Sequence, residues 1–201
     1  LNFCGPNKTH TGMTAQATKK EFIPALKYHR LTSAYDAIVA MTCREATFKM
    51  AMVQAANLGN TSATVLDIGC GTGTLLLQLK RQYPNIRAIG LDADPNVLSL
   101  AANKARLVNA TLQLDQGFSN ELPYTDSSVD VVCSSLFFHH LTSADKIRTF
   151  EQIHRVLRED GRLILADWGK ATNCVTRAMF LGIQLLDGFA TTNDNVRGRL
   201  P

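Results

Sequence analysis

Val65-Leu66-Asp67-Ile68-Gly69-Cys70-Gly71-Thr72-Gly73-Thr74-Leu75 is the stretch that decides the fold of this chain. A short apolar run containing an acidic residue is followed by three alternate glycines, after which an apolar pattern of helical period begins. That order predicts a strand, a glycine loop and a helix. Glycines in such a loop let the backbone approach a ligand where a Cβ would collide, so we expect a ligand site here.

The spacing of the glycines separates this loop from two other nucleotide-binding loops. A dinucleotide-binding loop has the pattern G-x-G-x-x-G, whereas this chain has G-x-G-x-G, with Thr74 where the third glycine would be. A phosphate-binding P-loop needs G-x-x-x-x-G-K-[ST], and no lysine is placed that way. On the loop alone, a turn that binds nothing stays open as an alternative.

A second acidic residue stands at the distance expected for a nucleotide site. The apolar segment 87–92 ends in Asp92, about 20 residues beyond the glycines, the spacing at which a carboxylate reaches ribose hydroxyls in doubly wound folds. A carboxylate can accept hydrogen bonds from both hydroxyls. Asp94 precedes Pro95 and is better placed to cap the next helix. We therefore predict that Asp94 is the cap and that Asp92 is left for the ligand.

The string around the glycines resembles motif I of the class I S-adenosylmethionine-dependent methyltransferases, which Asp67, Gly69, Gly71 and Gly73 match position by position. Four later segments resemble the same family in order; they are 117–124, 128–132, 134–141 and 157–167. The resemblance spans residues 64–168, roughly half of the chain. It is nearest to the small-molecule subgroup that includes the quinone C-methyltransferases.

The resemblance implies that the chain binds S-adenosylmethionine, releases S-adenosylhomocysteine and methylates a small molecule that the sequence does not name. It implies further residues at the cofactor besides the four of motif I: Tyr35, Cys70, Asp92, Ala93, Gly117, Phe118, Ser134 and Leu136. Tyr35-Asp36 resembles a Tyr-Asp pair that helps to close the cofactor pocket in related methyltransferases. The family often has an acid on the adenine amino group where this chain has Phe118, which would stack on or flank the adenine instead.

Candidates for the acceptor side follow the fourth and fifth predicted strands. His139 and His140 come after the fourth strand, and because an imidazole titrates near neutral pH each is a candidate base or orienting group. Asp167 ends the fifth strand and is expected at the same edge, beside Trp168. A loop-capping histidine and a turn-forming acid stay open as simpler roles. Orientation alone can lower such a barrier by about 7–11 kcal/mol, so no catalytic triad is required.

Alternating strands and helices predict an α/β fold with a doubly wound, mostly parallel sheet in the order 3-2-1-4-5. Strands are predicted near 64–68, 87–91, 111–115, 129–134 and 162–167, and helices near 73–82, 95–107, 144–158 and 173–187. The helix over 144–158 is expected to start at a capping residue near Ser143. Its buried face is expected to carry Ile147, Phe150, Ile153 and Leu157.

Residues 1–60 are predicted to form a loop and a helical cap, and residues 61–201 the cofactor-binding core, as one structural domain. The family normally adds two more strands, and nothing after Asp187 is predicted as a strand. Strand five would then be an uncovered edge unless a partner covers it, which leaves a homo-oligomer open.

Composition and charge exclude some classes of protein. The chain has 201 residues, is 45% hydrophobic and has a net charge of +4; it has no membrane-length apolar run and no signal-peptide layout. The basic excess lies in residues 1–60, where a solvated helix face is favoured because a nucleic-acid surface would need a denser patch with interleaved aromatics. Five scattered cysteines without a C-x-x-C pair argue against disulfides and a zinc site. Reduced thiols and a cytoplasmic location are expected.

Three other functions stay open. A non-catalytic module that binds S-adenosylmethionine or assists assembly is favoured if the last strands are absent. A nucleic-acid methyltransferase is disfavoured, because the segment 134–137 replaces the N-P-P-Y or D-P-P-Y string of many amino-methylating enzymes. A dehydrogenase is disfavoured by the glycine spacing.

Overall fold

The structure, a computed structural model, describes residues 45–59 and 62–167. The expectations for the segment before residue 45, including Tyr35, and for Trp168 and the helix near 173–187 lie outside the described residues. In the ranges that are described, no helix is both long enough and apolar enough to span a membrane.

Strands and helices alternate along the described core. The strands are β1 (Thr64–Ile68), β2 (Arg87–Asp92), β3 (Gln113–Gln116), β4 (Val129–Ser135) and β5 (Leu157–Ala166). The α-helices are α1 (Glu45–Ala56), α2 (Thr74–Gln82), α3 (Pro95–Leu107) and α4 (Ser143–Val156), and a 3₁₀ turn spans Phe138–His140. Each of the five predicted core strands and the first three predicted core helices is present, with ends shifted by a few residues.

The five strands form one parallel sheet in the order β3-β2-β1-β4-β5. The predicted doubly wound order is therefore confirmed. The order of the strands reverses between β1 and β4, and in open α/β sheets ligands bind beyond the carboxyl ends of the strands at that point. The loops after β1, β2, β3 and β4 all begin at this edge.

The sheet separates two apolar clusters. α1, α2 and α3 contribute to one cluster, in which Val53, Leu75 and Leu98 pack with Val65 of β1. α4 contributes Ile153 and Val156 to the other, together with alternate residues of the same strands. Because Asp67 is two residues from Val65, it lies on the α1–α2 face of β1.

Of the residues predicted on the buried face of α4, Phe150, Ile153 and Leu157 pack against the core, and Ile147 does not. Ile147 is 55% exposed, whereas Lys146, Thr149, Ile153 and Val156 are buried. The hydroxyl of Thr149 lies 2.8 Å from that of Ser119, so a polar side chain is satisfied at a position where an apolar pattern gives no signal. The N-cap is Thr142, whose Oγ1 accepts from the Asp145 amide at 3.2 Å, so the capping residue expected near Ser143 is present.

β5 begins at Leu157, five residues before the predicted start of strand five. Leu157 pairs with Val129, and the next pair is Arg162 with Val131, so residues 158–161 bulge out of the ladder. The regular part of β5 then runs beside β4 as far as Ala166 and delivers Asp167 to the carboxyl edge.

Candidate cofactor and acceptor site

The glycine loop joins β1 to α2 at the carboxyl edge of the sheet. Gly69, Gly71 and Gly73 have φ values of +69°, +52° and +74°, the left-handed region in which a side chain is strained. The amides of Gly69 and Cys70 both donate to the carbonyl of Leu91, at 2.9 and 3.1 Å. The loop is therefore held against the end of β2 in a shape that requires glycine.

The three glycines of the loop differ in what surrounds them. A Cβ at Gly69 would overlap the side chain of Phe137, coming within 2.8 Å of its Cβ, and a Cβ at Gly73 would lie 3.0 Å from that of Ala101. A Cβ at Gly71 would meet nothing within 4 Å. Gly69 and Gly73 make room for protein side chains, and Gly71 is the glycine of the loop that borders open space.

Asp92 holds the loop from the end of β2. Its Oδ2 accepts from the amide of Gly71 at 2.9 Å, and its Oδ1 accepts from the amide of Asp94 at 3.0 Å. Burial raises the pKa of Asp92, and these amide donors oppose the shift. Each carboxylate oxygen has two lone pairs, so capacity to accept from a ligand remains.

Asp94 caps α3, as the sequence predicts. Its side chain accepts from the amide of Asn96 at 2.8 Å, and Pro95 occupies the first helical position. The prediction that assigned the cap to Asp94 rather than to Asp92 is thus confirmed.

Asp67 is a buried carboxyl group at the base of the loop. Its side chain is 1% exposed, and neither oxygen has a hydrogen-bond partner among the described residues. Burial raises its pKa to about 7, which Lys49 opposes and Asp92 reinforces. A buried polar group without a partner in a ligand-binding edge is a candidate ligand contact.

The thiol of Cys70 is buried against β2. A Cβ at Gly90 would lie 2.8 Å from its Sγ, and Gly90 is the β2 neighbour of Asp67 in the sheet. Burial raises the pKa of the thiol. Sequence reasoning missed Gly90; the signal available was a glycine inside a strand, which marks a close approach.

The remaining predicted cofactor residues line the ends of β2, β3 and β4. The amide of Gly117 donates to the carbonyl of Asp92 at 3.0 Å, and the carbonyl of Ala93 accepts from the Gln116 side chain at 3.1 Å. Phe118 follows and is 40% exposed. The end of β3 is thereby tied to the end of β2, with an accessible aromatic ring beside them.

The exit of β4 has an unusual backbone. Ser134 is buried and its Oγ donates to the carbonyl of Ile68 at 2.9 Å, so it joins β4 to β1. Leu136 has a φ of +52° although it is not glycine, and its amide donates to Ala166 at 2.8 Å. Such strain is held only where the surrounding structure over-determines it, and it clusters at functional sites.

Lys104 reaches the same loop from α3. Its Nζ donates to the hydroxyl of Thr72 at 2.7 Å. Nothing in the sequence links these two residues, because they are 32 positions apart and come from different elements.

The predicted acceptor-side residues form one cluster. Asp167 Oδ1 lies 2.7 Å from Nδ1 of His139, and Asp167 Oδ2 accepts from the His139 amide at 3.1 Å. The rings of His139 and His140 have centroids 4.0 Å apart. Burial and the neighbouring His139 lower the pKa of His140 to about 3.

The 3₁₀ turn links this cluster to the glycine loop. Phe137, just before the turn, packs on Gly69, and its ring meets that of Phe138 edge-on at 5.9 Å. Phe138 is buried against Phe150 of α4, and His139 is bound to Asp167. Cofactor-side and acceptor-side candidates therefore lie along one edge of the sheet.

The region that contains this site is similar to known proteins. Residues 65–161 match the methyltransferase domain family. The chain is 36% identical over 115 residues to a demethylmenaquinone methyltransferase of Lactobacillus johnsonii, a match covering 56% of this chain and 46% of that protein. It is 32% identical over 163 residues to a malonyl-[acyl-carrier protein] O-methyltransferase of Laribacter hongkongensis, covering 78% of this chain and 54% of that protein. The chain spans about half the length of these curated relatives.

A solved structure agrees at the level of the fold. An S-adenosylmethionine-dependent methyltransferase from Aquifex aeolicus aligns with a TM-score of 0.54 at 20% identity, covering 70% of this chain and 78% of that one. The motif I resemblance, the sheet order and the matching family model agree. Over residues 65–161 the chain is therefore similar to the methyltransferase domain family, and its sheet has the strand order expected for the class I, S-adenosylmethionine-dependent members.

Proposed function

We propose that this chain binds S-adenosylmethionine at the carboxyl edge of its sheet and transfers the methyl group to a small hydroquinol. The observation that carries the proposal is the open space at Gly71, together with the buried carboxyl group of Asp67 and the half-buried carboxyl group of Asp92. S-adenosylmethionine supplies a methyl group already activated by a positively charged sulfur.

Residues at the carboxyl edge of the sheet fit the ribose, the ammonium group and the adenine ring of S-adenosylmethionine. Asp92 would accept from the ribose hydroxyls with the lone pairs left over from its amide donors. Asp67, whose oxygens have no hydrogen-bond partner in the described ranges, would accept from the ammonium group. Phe118, exposed beside Gly117, would lie against the adenine ring.

The acceptor class is proposed from the relatives and from the acceptor-side cluster. Several curated relatives are named demethylmenaquinone methyltransferases. A hydroquinol carries hydroxyl groups, and His139, His140 and Asp167 offer groups at the same edge that can bind or move a hydroxyl proton. The free thiols of Cys70 and Cys133 support the expected cytoplasmic location.

Two glycines provide a matched test of the cofactor site. Gly71 and Gly59 have similar φ values, +52° and +60°, and a Cβ at either meets nothing within 4 Å. An alanine at each incurs a similar backbone strain of about 1–2 kcal/mol, but Gly59 lies beyond the end of α1. Calorimetric titration with S-adenosylhomocysteine should give micromolar binding to the wild type and to Gly59→Ala, and at least tenfold weaker binding to Gly71→Ala.

The outcomes separate the competing functions. Absence of S-adenosylhomocysteine binding to the wild type contradicts the proposal. Binding without methyl transfer to 1,4-dihydroxynaphthalene and related acceptors favours the non-catalytic binding or assembly module. Equal weakening by both alanine variants means that strain, and not contact with a ligand, explains the loss.

A further inference from the structure

The three acceptor-side residues form an ordered row rather than a loose cluster. Asp167 contacts His139 twice, at the backbone amide (3.1 Å) and at Nδ1 (2.7 Å). Because a carboxylate oxygen can only accept, Nδ1 of His139 is the nitrogen that carries the proton. This two-point contact joins the end of β5 to the 3₁₀ turn after β4 and sets both the position and the tautomer of the His139 ring.

Burial distinguishes the members of the row. His139 is 1% exposed, and the side chain of Asp167 is fully buried. His140 is half-buried, and its ring lies against that of His139. Of these three side chains, His140 is the one that a molecule arriving from solvent can reach.

We propose that His140 contacts the methyl acceptor and takes the proton of its hydroxyl group during transfer, and that Asp167 and His139 are positioning residues behind it. This inference rests on the proposed function, because it assigns roles within that site. The sequence analysis named all three residues as acceptor-side candidates; the proposal gives each of them a separate role.

The state of His140 suits an acceptor next to a sulfonium. Its pKa is lowered to about 3 by burial and by His139, so the ring is neutral at neutral pH and does not repel the positive sulfur. A neutral imidazole of low basicity leaves a hydroquinol hydroxyl protonated before the reaction, and it can still accept a hydrogen bond from it and fix its orientation.

A weak base is sufficient once the methyl group moves. The ring carbon of the hydroquinol forms a bond to the methyl carbon, the bond from sulfur to methyl breaks, and sulfur keeps the electron pair. The ring hydroxyl then becomes a protonated carbonyl, a far stronger acid than a phenol, and its proton passes to His140 and on to solvent. The ring carbon then loses its hydrogen as a proton and the oxygen regains one, so that one proton is released overall.

The test uses the full chain with 1,4-dihydroxynaphthalene kept reduced by ascorbate, S-adenosylmethionine as donor, and calorimetric titration with S-adenosylhomocysteine. His140→Gln should lower kcat by about 10²–10⁴-fold and leave the affinity for S-adenosylhomocysteine unchanged. His154→Gln is the matched control, since His154 is an exposed histidine of α4; it should leave both quantities unchanged. Thermal unfolding of each variant verifies that it is folded.

The positioning role has its own readout. Nitrogen-15 NMR of the wild type should find His139 protonated at Nδ1. Asp167→Asn should shift that ring toward a mixture of tautomers, because an amide can donate to Nδ1 as well as accept from it, and should lower kcat by about tenfold with little change in KM. Asp167→Glu should restore part of the Nδ1 protonation of His139 and part of kcat.

Wild-type kcat in His140→Gln overturns the contact with the acceptor. An unchanged His139 tautomer in Asp167→Asn overturns the positioning role even if stability falls. Binding of S-adenosylhomocysteine without methylation of the probe overturns the hydroxyl-proton step, while the tautomer measurement still decides the roles of Asp167 and His139. Absence of S-adenosylhomocysteine binding overturns the proposed function itself and is thereby distinguished from these outcomes.

Discussion

Asp67 is a residue whose ionisation opposes folding. Its carboxyl group has an ordinary pKa of 3.8, and burial raises this to about 7 in the folded protein. Between those values the folded chain holds a proton at Asp67 that the unfolded chain has released. The stability that this proton linkage contributes is complete below about pH 4 and is lost as the pH rises through about 7.

The substitution Asp67→Asn removes this loss of stability at rising pH. Relative to the variant, the free energy of unfolding of the wild type should fall by about 1.4 kcal/mol per pH unit across the window from 3.8 to about 7. Urea denaturation at several pH values measures it, with Asp160→Asn at an exposed carboxyl as control. We expect the same variant to bind S-adenosylhomocysteine more weakly. Parallel stability curves for wild type and variant would contradict the buried ionisation.

The sequence predicted the glycine loop but not the separate roles of its glycines. Periodicity and spacing placed the strand, the loop and the helix, because those depend on neighbouring residues. The neighbours of Gly69 and Gly73 are Phe137 and Ala101, which reach the loop through the fold. The cap at Asp94 was predictable because its hydrogen-bond partner, the amide of Asn96, is only two residues away in the sequence.

At the scale of elements, α4 is where the apolar pattern and the buried face disagree. The helix turns Thr149 toward Ser119, and the hydroxyl pair replaces an apolar contact. The face that packs on the sheet therefore includes Thr149 beside the predicted Phe150 and Ile153, whereas Ile147 is exposed. A pattern of apolar residues does not predict the burial of a polar residue whose hydrogen-bond partner comes from another segment.

Two isoleucines of α4 test the corrected face. Ile147→Ala should change the free energy of unfolding by less than about 0.5 kcal/mol, because the side chain is exposed. Ile153→Ala should cost about 2–4 kcal/mol, because it leaves a cavity in the cluster beneath the helix. Chemical denaturation of the two variants makes the comparison, since the substitution and the helix are the same. Similar losses at both positions would restore the predicted face.

The whole molecule gathers residues from four strand ends at one edge. Sequence reasoning predicted this convergence, because parallel strands in the order 3-2-1-4-5 leave little freedom in where their carboxyl ends lie. It also predicted that Asp167 and the two histidines would share that edge. It did not predict that His139 would be buried and His140 half-buried, because burial depends on how the 3₁₀ turn packs between Phe150 and Asp167.

Ligand binding should stabilise the molecule as a whole. S-adenosylhomocysteine at about 100 times its Kd should add about 2.7 kcal/mol to the free energy of unfolding, which for a domain of this size raises Tm by about 5–10 °C. Scanning calorimetry with and without the ligand measures the shift. At the same ligand concentration Gly71→Ala should show about half of this shift or less, because its affinity is at least tenfold weaker. An equal shift in both proteins would place the ligand away from the glycine loop.

The carbonyl of Leu91 accepts from both Gly69 and Cys70, and this shared bond has a consequence for how the ligand loop opens. The first two amides of the loop are hydrogen-bonded as a continuation of β2, so the loop cannot lift away while the end of that strand stays in place. In amide hydrogen exchange these two positions report on the opening of the central sheet instead of a surface segment. A molecule bound at this loop is thus attached to the cooperative unit that holds the protein together.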